Sequence, residues 1–260
     1  MRAIVTGANG TIGSRLCEDL RRHGVEVVGW DRGRVPVDDY WAMERFVRSV
    51  APDVLFHLAI ASHSTGRANE SWLIHYEWTS ELAWISRQLG VRFLFSSTAM
   101  VFSNQARGPF TVDSEPEASE GYGYEKRLAE ARAFAQNPET RVVRLGWQID
   151  DRSSGNNMVA ALEAQMRERG RVEASTRWLP ACSFLDDTVR ALQALAWAEP
   201  GLYLLDANER WTHHEIVLAL NERYGGRWQV EPTEHFVFDQ RMMDDRVVLP
   251  SLKARLPGLR

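Results

Sequence analysis

The chain has 260 residues, 44% of them hydrophobic and 25% charged, with a formal net charge of −4. Such a length and composition suit a globular protein with a sizeable core, and the negative balance gives no whole-protein case for binding nucleic acid or an anionic membrane. Two cysteines, Cys17 and Cys182, stand at no metal or redox spacing and read as reduced thiols of a cytoplasmic protein.

Met1 leads directly into the first predicted strand, so no signal peptide is expected. No apolar run reaches the roughly 20 residues of a membrane span. "RAIVTG" predicts a strand, 11–24 a helix closed by "HG", and "VEVVGW" a second strand ending at Asp31. Apolar residues at helical spacing mark 40–50, and "PDVLFHLAI" reads as a buried strand. A long helix is predicted over 70–90, then the strand "VRFLFSST", a helix over 122–137 and the strand "TRVVRLGW". Continuous apolar strands alternating with helices predict an α/β fold: a Rossmann-type, doubly wound parallel sheet.

After Asp150 the rhythm changes. "DRSSGNN" reads as a loop, followed by a helix over 158–170 and a short, irregular stretch. A helix over 187–198 starts at Asp186-Asp187, "GLYLLDA" is a strand, and 212–224 is a helix with Thr212 as N-cap. Asp244-Asp245 reads as solvated. The expected division is a dinucleotide-binding core over 1–150, to which later segments are free to return, and a small C-terminal α/β substrate lobe over 151–260.

The stretch "TGANGTIG" carries glycines three apart at a strand-to-helix turn, Gly7, Gly10 and Gly13. A helix N-terminus offers backbone N–H groups and a positive dipole end to an anion, and glycine lets the backbone approach a pyrophosphate. Gly7, Asn9, Gly10, Thr11, Ile12 and Gly13 are therefore candidate cofactor residues. Asp31, 18 residues beyond Gly13, stands where a carboxylate binds the adenosine ribose hydroxyls. It favours NAD, whereas Arg32 and Arg34 suit the extra phosphate of NADP.

In "YGYEK", Tyr122 and Lys126 lie four apart and share a helix face. A lysine ammonium beside a phenol favours the phenolate and is expected to lower the Tyr122 pKa, giving an acid/base for neutral pH. "FSSTAMVF" runs from an apolar strand into hydroxyl residues at the carboxyl edge of the sheet, where Thr98 is placed to hold a substrate oxygen. "HHE" at 213–215 lacks the second histidine of a zinc motif and reads as a helix start, and no metal site is expected.

In this order, the glycine turn and Thr98, Tyr122 and Lys126 resemble the extended short-chain dehydrogenase/reductase superfamily. Within it, "MRAIVTGANGTIG", "APDVLFHLA", "YGYEKRLAE", "VVRLGW" and "GNNMV" resemble the family of dTDP-4-dehydrorhamnose reductases and related nucleotide-sugar enzymes. The resemblance implies hydride transfer from a nicotinamide to a ketone, with Tyr122 as acid, Lys126 holding the nicotinamide ribose and Thr98 orienting the carbonyl. It implies Leu58, Ala59 and Ile60 as cofactor neighbours. It also implies a nucleotide-sugar substrate, with Thr98, Ala99, Trp147, Asn157, Arg177 and Trp178 as its contacts, and leaves a homodimer open.

Departures from the family pattern carry information too. Pro36 falls where an Asp is usual near the adenine, leaving Val37 and Asp38 as candidates there, and His75 falls where an Asn is common. Ala99-Met100 replaces the usual Asp-Tyr and has no acid or base for a dehydration. A nucleotide-sugar C4 epimerase and a sugar or uronate dehydrogenase remain alternatives. So does a dinucleotide-binding regulatory subunit without catalysis, against which the presence of both Tyr122 and Lys126 counts.

Overall fold

The structure, a computed structural model, describes residues 1–62, 65–152 and 155–259. Part of the loop predicted at "DRSSGNN", Ser153-Ser154, lies outside the described residues, as does the terminal Arg260. In chain order the first elements are β1 (Arg2–Thr6), α1 (Thr11–Arg22), β2 (Glu26–Gly29), α2 (Tyr40–Val50) and β3 (Val54–His57). Next come α3 (Glu70–Trp72), a π-helical segment (Leu73–Glu77), α4 (Trp78–Leu89), β4 (Arg92–Thr98), a 3-10 turn (Ala99–Val101), α5 (Gly121–Gln136) and β5 (Arg141–Leu145). The remainder is β6 (Trp147–Ile149), α6 (Met158–Arg169), β7 (Val172–Ser175), β8 (Trp178–Leu179), β9 (Cys182–Phe184), α7 (Leu185–Leu195), β10 (Gly201–Leu205), α8 (His213–Arg223), β11 (Val230–Thr233), β12 (Phe238–Asp239) and α9 (Leu252–Arg255).

The main sheet has six strands in the order β10-β5-β4-β3-β1-β2. The pairings of β1 with β2 and β3, and of β3 with β4, are parallel, with Val5 opposite Gly29 on one side and Phe56 on the other. This is the predicted Rossmann-type sheet. Strand order reverses at β1 and β3, and the carboxyl ends of those strands form the crevice where such sheets bind ligands.

Two compact units interleave along the chain. The first comprises Met1–Val101, Pro116–Arg144 and Leu192–Tyr203, and the second Phe102–Glu115, Leu145–Ala191 and Leu204–Arg260. The core of the first gathers Ile4, Leu55, Phe93 and Phe95 from strands with Met43, Val47, Trp78, Leu82 and Ala129 from α2, α4 and α5, all buried. These strands bury both faces, which is why they read as continuous apolar runs. Arg144 is 2% exposed and forms a forked pair with Glu130, so it is structural.

The core of the second unit is built from Met158, Val159, Leu162, Val172, Phe184, Ile216, Val217 and Leu220. Thr212 closes a full capping box on α8: its side chain accepts from the Glu215 N–H, and the Glu215 carboxylate accepts from the Thr212 N–H at 2.8 Å. Asp244 departs from the solvated reading. Its side chain is 3% exposed, pairs with Arg246 and accepts from the Leu204 N–H at 3.1 Å. Among the described residues no helix is long and apolar enough to cross a membrane.

Candidate active site

β1 delivers the glycine turn. Gly7 takes φ +65°, and its carbonyl accepts from the Gly10 N–H at 2.9 Å. A Cβ on Gly13 would overlap that same carbonyl, so α1 can seat against the turn only with glycine there. Gly10 caps α1 without a side-chain bond, and the first turn has no acidic residue. The cradle that side chains would fill, at an uncapped helix start, fits the pyrophosphate of a dinucleotide.

The wall beside the cradle is fixed by a buried hydrogen-bond chain. Thr6 Oγ1 accepts from the N–H groups of Leu58 and Ala59 at 3.0 and 3.1 Å and lies 2.8 Å from His57 Nδ1. On the other side, His57 Nε2 lies 3.0 Å from Thr79 Oγ1, which donates to the His75 carbonyl at 2.7 Å. Burial holds the His57 pKa well below its ordinary value, so the ring is neutral. Thr79 has spent its only proton, hence His57 Nε2 donates to it and His57 Nδ1 accepts from Thr6. Every group in this hydrogen-bond chain is satisfied, and the fully buried His57 is a packed structural residue.

At the outer end of this crevice the Asp31 side chain is 60% exposed and accepts from the Gly33 N–H at 2.9 Å, with Arg34 at 3.5 Å. Val37 is buried. Asp38 pairs with Arg67 at 2.6 Å, whose hydrogen bond lowers its pKa, and Arg32 lies 3.9 Å from Glu70. Arg67 and Glu70 had no motif to announce them.

Tyr122 and Lys126 sit in the first turns of α5. A Cβ on the intervening Gly123 would overlap the Met100 carbonyl, so the glycine of "YGYEK" lets α5 pack on the turn that follows Thr98. Thr98 ends β4, and its Oγ1 accepts from the Met100 N–H at 3.1 Å. Lys126 is 1% exposed; its Nζ donates to the Ser96 carbonyl at 2.7 Å and lies 4.2 Å from the Phe95 ring centre and 5.9 Å from that of Tyr122. Burial pushes the Lys126 pKa down to about 7. Tyr122 departs from the sequence-based expectation: burial, with the Glu125 carboxylate, pushes its pKa up rather than down. The reason is that desolvation disfavours both charged forms, phenolate and ammonium, and at this site exceeds their mutual attraction.

The sequence reading passed over the polar group beside Tyr122. The predicted helix over 70–90 is broken by the π-helical turn at Leu73–Glu77, which carries His75. His75 Nδ1 lies 2.7 Å from Glu125, and its ring stands at 74° to that of Tyr122 with centres 5.0 Å apart. The only sequence signals were His75 in place of an Asn and a Glu immediately before Lys126.

In the second unit, Trp147 and Trp178 stack at 6.0 Å, with His213 4.7 Å from Trp178. His213 is 7% exposed and its Nε2 lacks a hydrogen-bond partner; burial lowers its pKa to about 4. Asn157 caps α6, accepting from the Ala160 N–H at 2.9 Å and donating to the Arg152 carbonyl at 3.2 Å, so its amide is engaged at both ends. Arg177 is exposed.

The parallel sheet, with a glycine turn after its first strand, defines the fold class of the extended short-chain dehydrogenases/reductases. The family described as RmlD substrate binding domain matches residues 1–236, and the chain belongs to that family. It is 28% identical over 216 residues to dTDP-4-dehydrorhamnose reductase of Mycobacterium tuberculosis, covering 80% of this chain and 70% of that protein. It is 21% identical over 227 residues to a spore coat polysaccharide biosynthesis protein of Bacillus subtilis, covering 86% and 80%. Among solved structures, dTDP-4-dehydrorhamnose reductase of Bacillus anthracis in complex with NADP superposes with TM-score 0.83 at 18% identity, covering 98% and 96%. UDP-glucose 4-epimerase of Thermotoga maritima superposes with TM-score 0.80 at 20% identity, covering 100% and 97%. Reductase and epimerase thus share this fold equally well.

Proposed function

We propose that the chain is an NAD(P)H-dependent reductase of a keto group on a nucleotide-activated deoxysugar. The observation that carries the reading is Lys126, a buried lysine held between the Ser96 carbonyl and the Tyr122 ring and poised to titrate near pH 7. Fully buried lysines are rare and expensive, and one beside a phenol at a sheet's carboxyl edge has the character of a functional group. The named activity of the M. tuberculosis relative supports the substrate class.

Gly7, Asn9, Gly10, Thr11, Ile12 and Gly13 would hold the pyrophosphate, Asp31 and Arg32 the adenosine ribose, Val37 and Asp38 the adenine side, and Leu58, Ala59 and Ile60 the dinucleotide along β3. A bound nicotinamide would supply a hydride to the substrate's carbonyl carbon. Thr98 hydrogen-bonds the carbonyl oxygen and orients it. Tyr122 gives its phenolic proton to the developing alkoxide, and Lys126 in its protonated form stabilises the phenolate left behind. Lys126 would also hold the nicotinamide ribose of a bound dinucleotide. The second unit is proposed to take the nucleotide, through stacking on Trp147 and Trp178 and charge from Arg177; Ala99, next to Thr98 in the first unit, is a further proposed substrate contact, whereas the Asn157 amide is taken up in capping α6.

Purified protein supplied with NADH or NADPH and a panel of nucleotide 4-keto-sugars, followed by cofactor absorbance, tests this. Oxidation of the cofactor with one keto-sugar, abolished in Tyr122→Phe while cofactor binding persists, is expected. Sugar epimers that interconvert without net cofactor oxidation would refute the reductase in favour of an epimerase. Tight cofactor binding without turnover would favour the regulatory alternative.

A further inference from the structure

Three helices of the first unit enclose a cavity to which the chemistry above gives no part. Its volume is about 310 Å³, and it is lined by Tyr40 of α2, by Ser80, Glu81 and Trp84 of α4, and by Arg132 and Gln136 of α5. That volume lies at the small end of the range for ligand sites. Arg132 stands ten residues beyond Tyr122 on the same helix, about 15 Å along its axis, so the cavity is separate from the candidate active site.

The charges on its walls are unspent. Glu81 Oε2 is shielded from solvent and has no hydrogen-bond partner, while Oε1 stays accessible. Glu77 and Asp38 lie near enough to join burial in raising the Glu81 pKa, so the surroundings of this carboxylate are themselves acidic. Arg132 Nε donates to Ser80 Oγ at 3.0 Å, which fixes the guanidinium, and Gln136 Nε2 donates to the same oxygen at 3.1 Å. With both its lone pairs taken, the Ser80 hydroxyl has only its proton left to give. Among the described residues neither Glu81 nor Arg132 has an ion-pair partner, although both line the same small space. Tyr40 is half-buried, and Trp84 is 37% exposed in the middle of α4. The two rings supply flat apolar walls.

We propose that this cavity binds a small zwitterion with an apolar body, a free aromatic α-amino acid, with Glu81 receiving the ammonium, Arg132 and Ser80 the carboxylate, and Tyr40 and Trp84 the side chain. A simple cation would answer Glu81 and leave the guanidinium unpaired, and a simple anion would do the reverse. Only a ligand with both charges close together satisfies the two walls at once, since each buried charge needs a partner. A nucleotide sugar carries phosphates and no ammonium, so the substrate proposed above does not suit this site. The inference therefore stands apart from the reductase reading.

Isothermal titration calorimetry of the full chain near neutral pH tests it with three probes that share one ring: L-phenylalanine, phenethylamine, which lacks the carboxylate, and 3-phenylpropionate, which lacks the ammonium. Phenylalanine is expected to saturate one site and to quench tryptophan fluorescence, and each of the other two to bind about tenfold or more weakly. Glu81→Gln should weaken phenylalanine by a similar factor and erase its advantage over 3-phenylpropionate. Arg132→Gln should erase its advantage over phenethylamine instead. These crossed losses of selectivity are not what a merely structural role for either residue would produce. No saturable binding of phenylalanine at millimolar concentration overturns the proposal, as does phenethylamine or 3-phenylpropionate binding to the wild type as tightly as phenylalanine. Binding that disappears as a dimer forms in sedimentation would show that a second copy covers the cavity, and would overturn it too.

Discussion

Replacing Lys126 with Met should abolish turnover and yet stabilise the fold, by an amount that depends on pH. The Lys126 pKa falls from 10.5 to about 7 on burial. A base whose folded pKa is depressed binds fewer protons folded than unfolded between those two values. Stability contributed by this group is therefore complete above about pH 10.5, falls by about 1.4 kcal/mol for each unit of acidification, and bottoms out below about pH 7. The penalty is about 5 kcal/mol at pH 6 and about 2 kcal/mol at pH 9. Met fills the space without that penalty but strands the Ser96 carbonyl, which loses its 2.7 Å bond from Nζ, at about 1–3 kcal/mol regardless of pH. The variant should then exceed the wild type by about 2–4 kcal/mol at pH 6 and be close to it at pH 9. Urea unfolding of both proteins at the two pH values measures this, since titrating groups not coupled to Lys126 cancel in the difference, and the coupled His57 and His75 have lowered pKa values. A stability difference that does not change from pH 6 to pH 9 would refute the depressed pKa, and with it the argument that Lys126 is poised near neutrality.

Other expectations follow from particular contacts. Gly13→Ala should lose cofactor binding by about two orders of magnitude in fluorescence titration, because its Cβ overlaps the Gly7 carbonyl and the cradle must open; tight binding in that variant would disprove the cradle. Arg144→Met should cost about 3–5 kcal/mol in chemical denaturation, since it leaves the buried Glu130 carboxylate without its 2.7 Å partner. Thr212→Ala should cost about 1 kcal/mol and leave activity unchanged, because it removes only the capping box of α8.

Much of the first unit was readable from sequence because its signals are local. Alternating apolar strands and helices, the glycine turn and the helix start at Thr212 depend on neighbours a few residues away, and the observed sheet and capping box match them. Even the side-chain facing of Tyr122 and Lys126 follows from a four-residue spacing. The sequence also marked His75 as unusual, without a reason.

What only the tertiary structure decided concerns burial and contacts between distant segments. The π-helical turn brings His75 to Glu125, 50 residues away, and no pattern in 70–90 announces it. Asp244, charged and flanked by another acid, looked solvated until the fold supplied the Leu204 N–H and the Arg246 guanidinium. Asn157 looked available until it capped α6. The Tyr122 titration was expected from the neighbouring Lys126 ammonium alone. Desolvation, which depends on everything packed around a group and on nothing in its immediate sequence, pushed the Tyr122 pKa the other way and lowered that of Lys126.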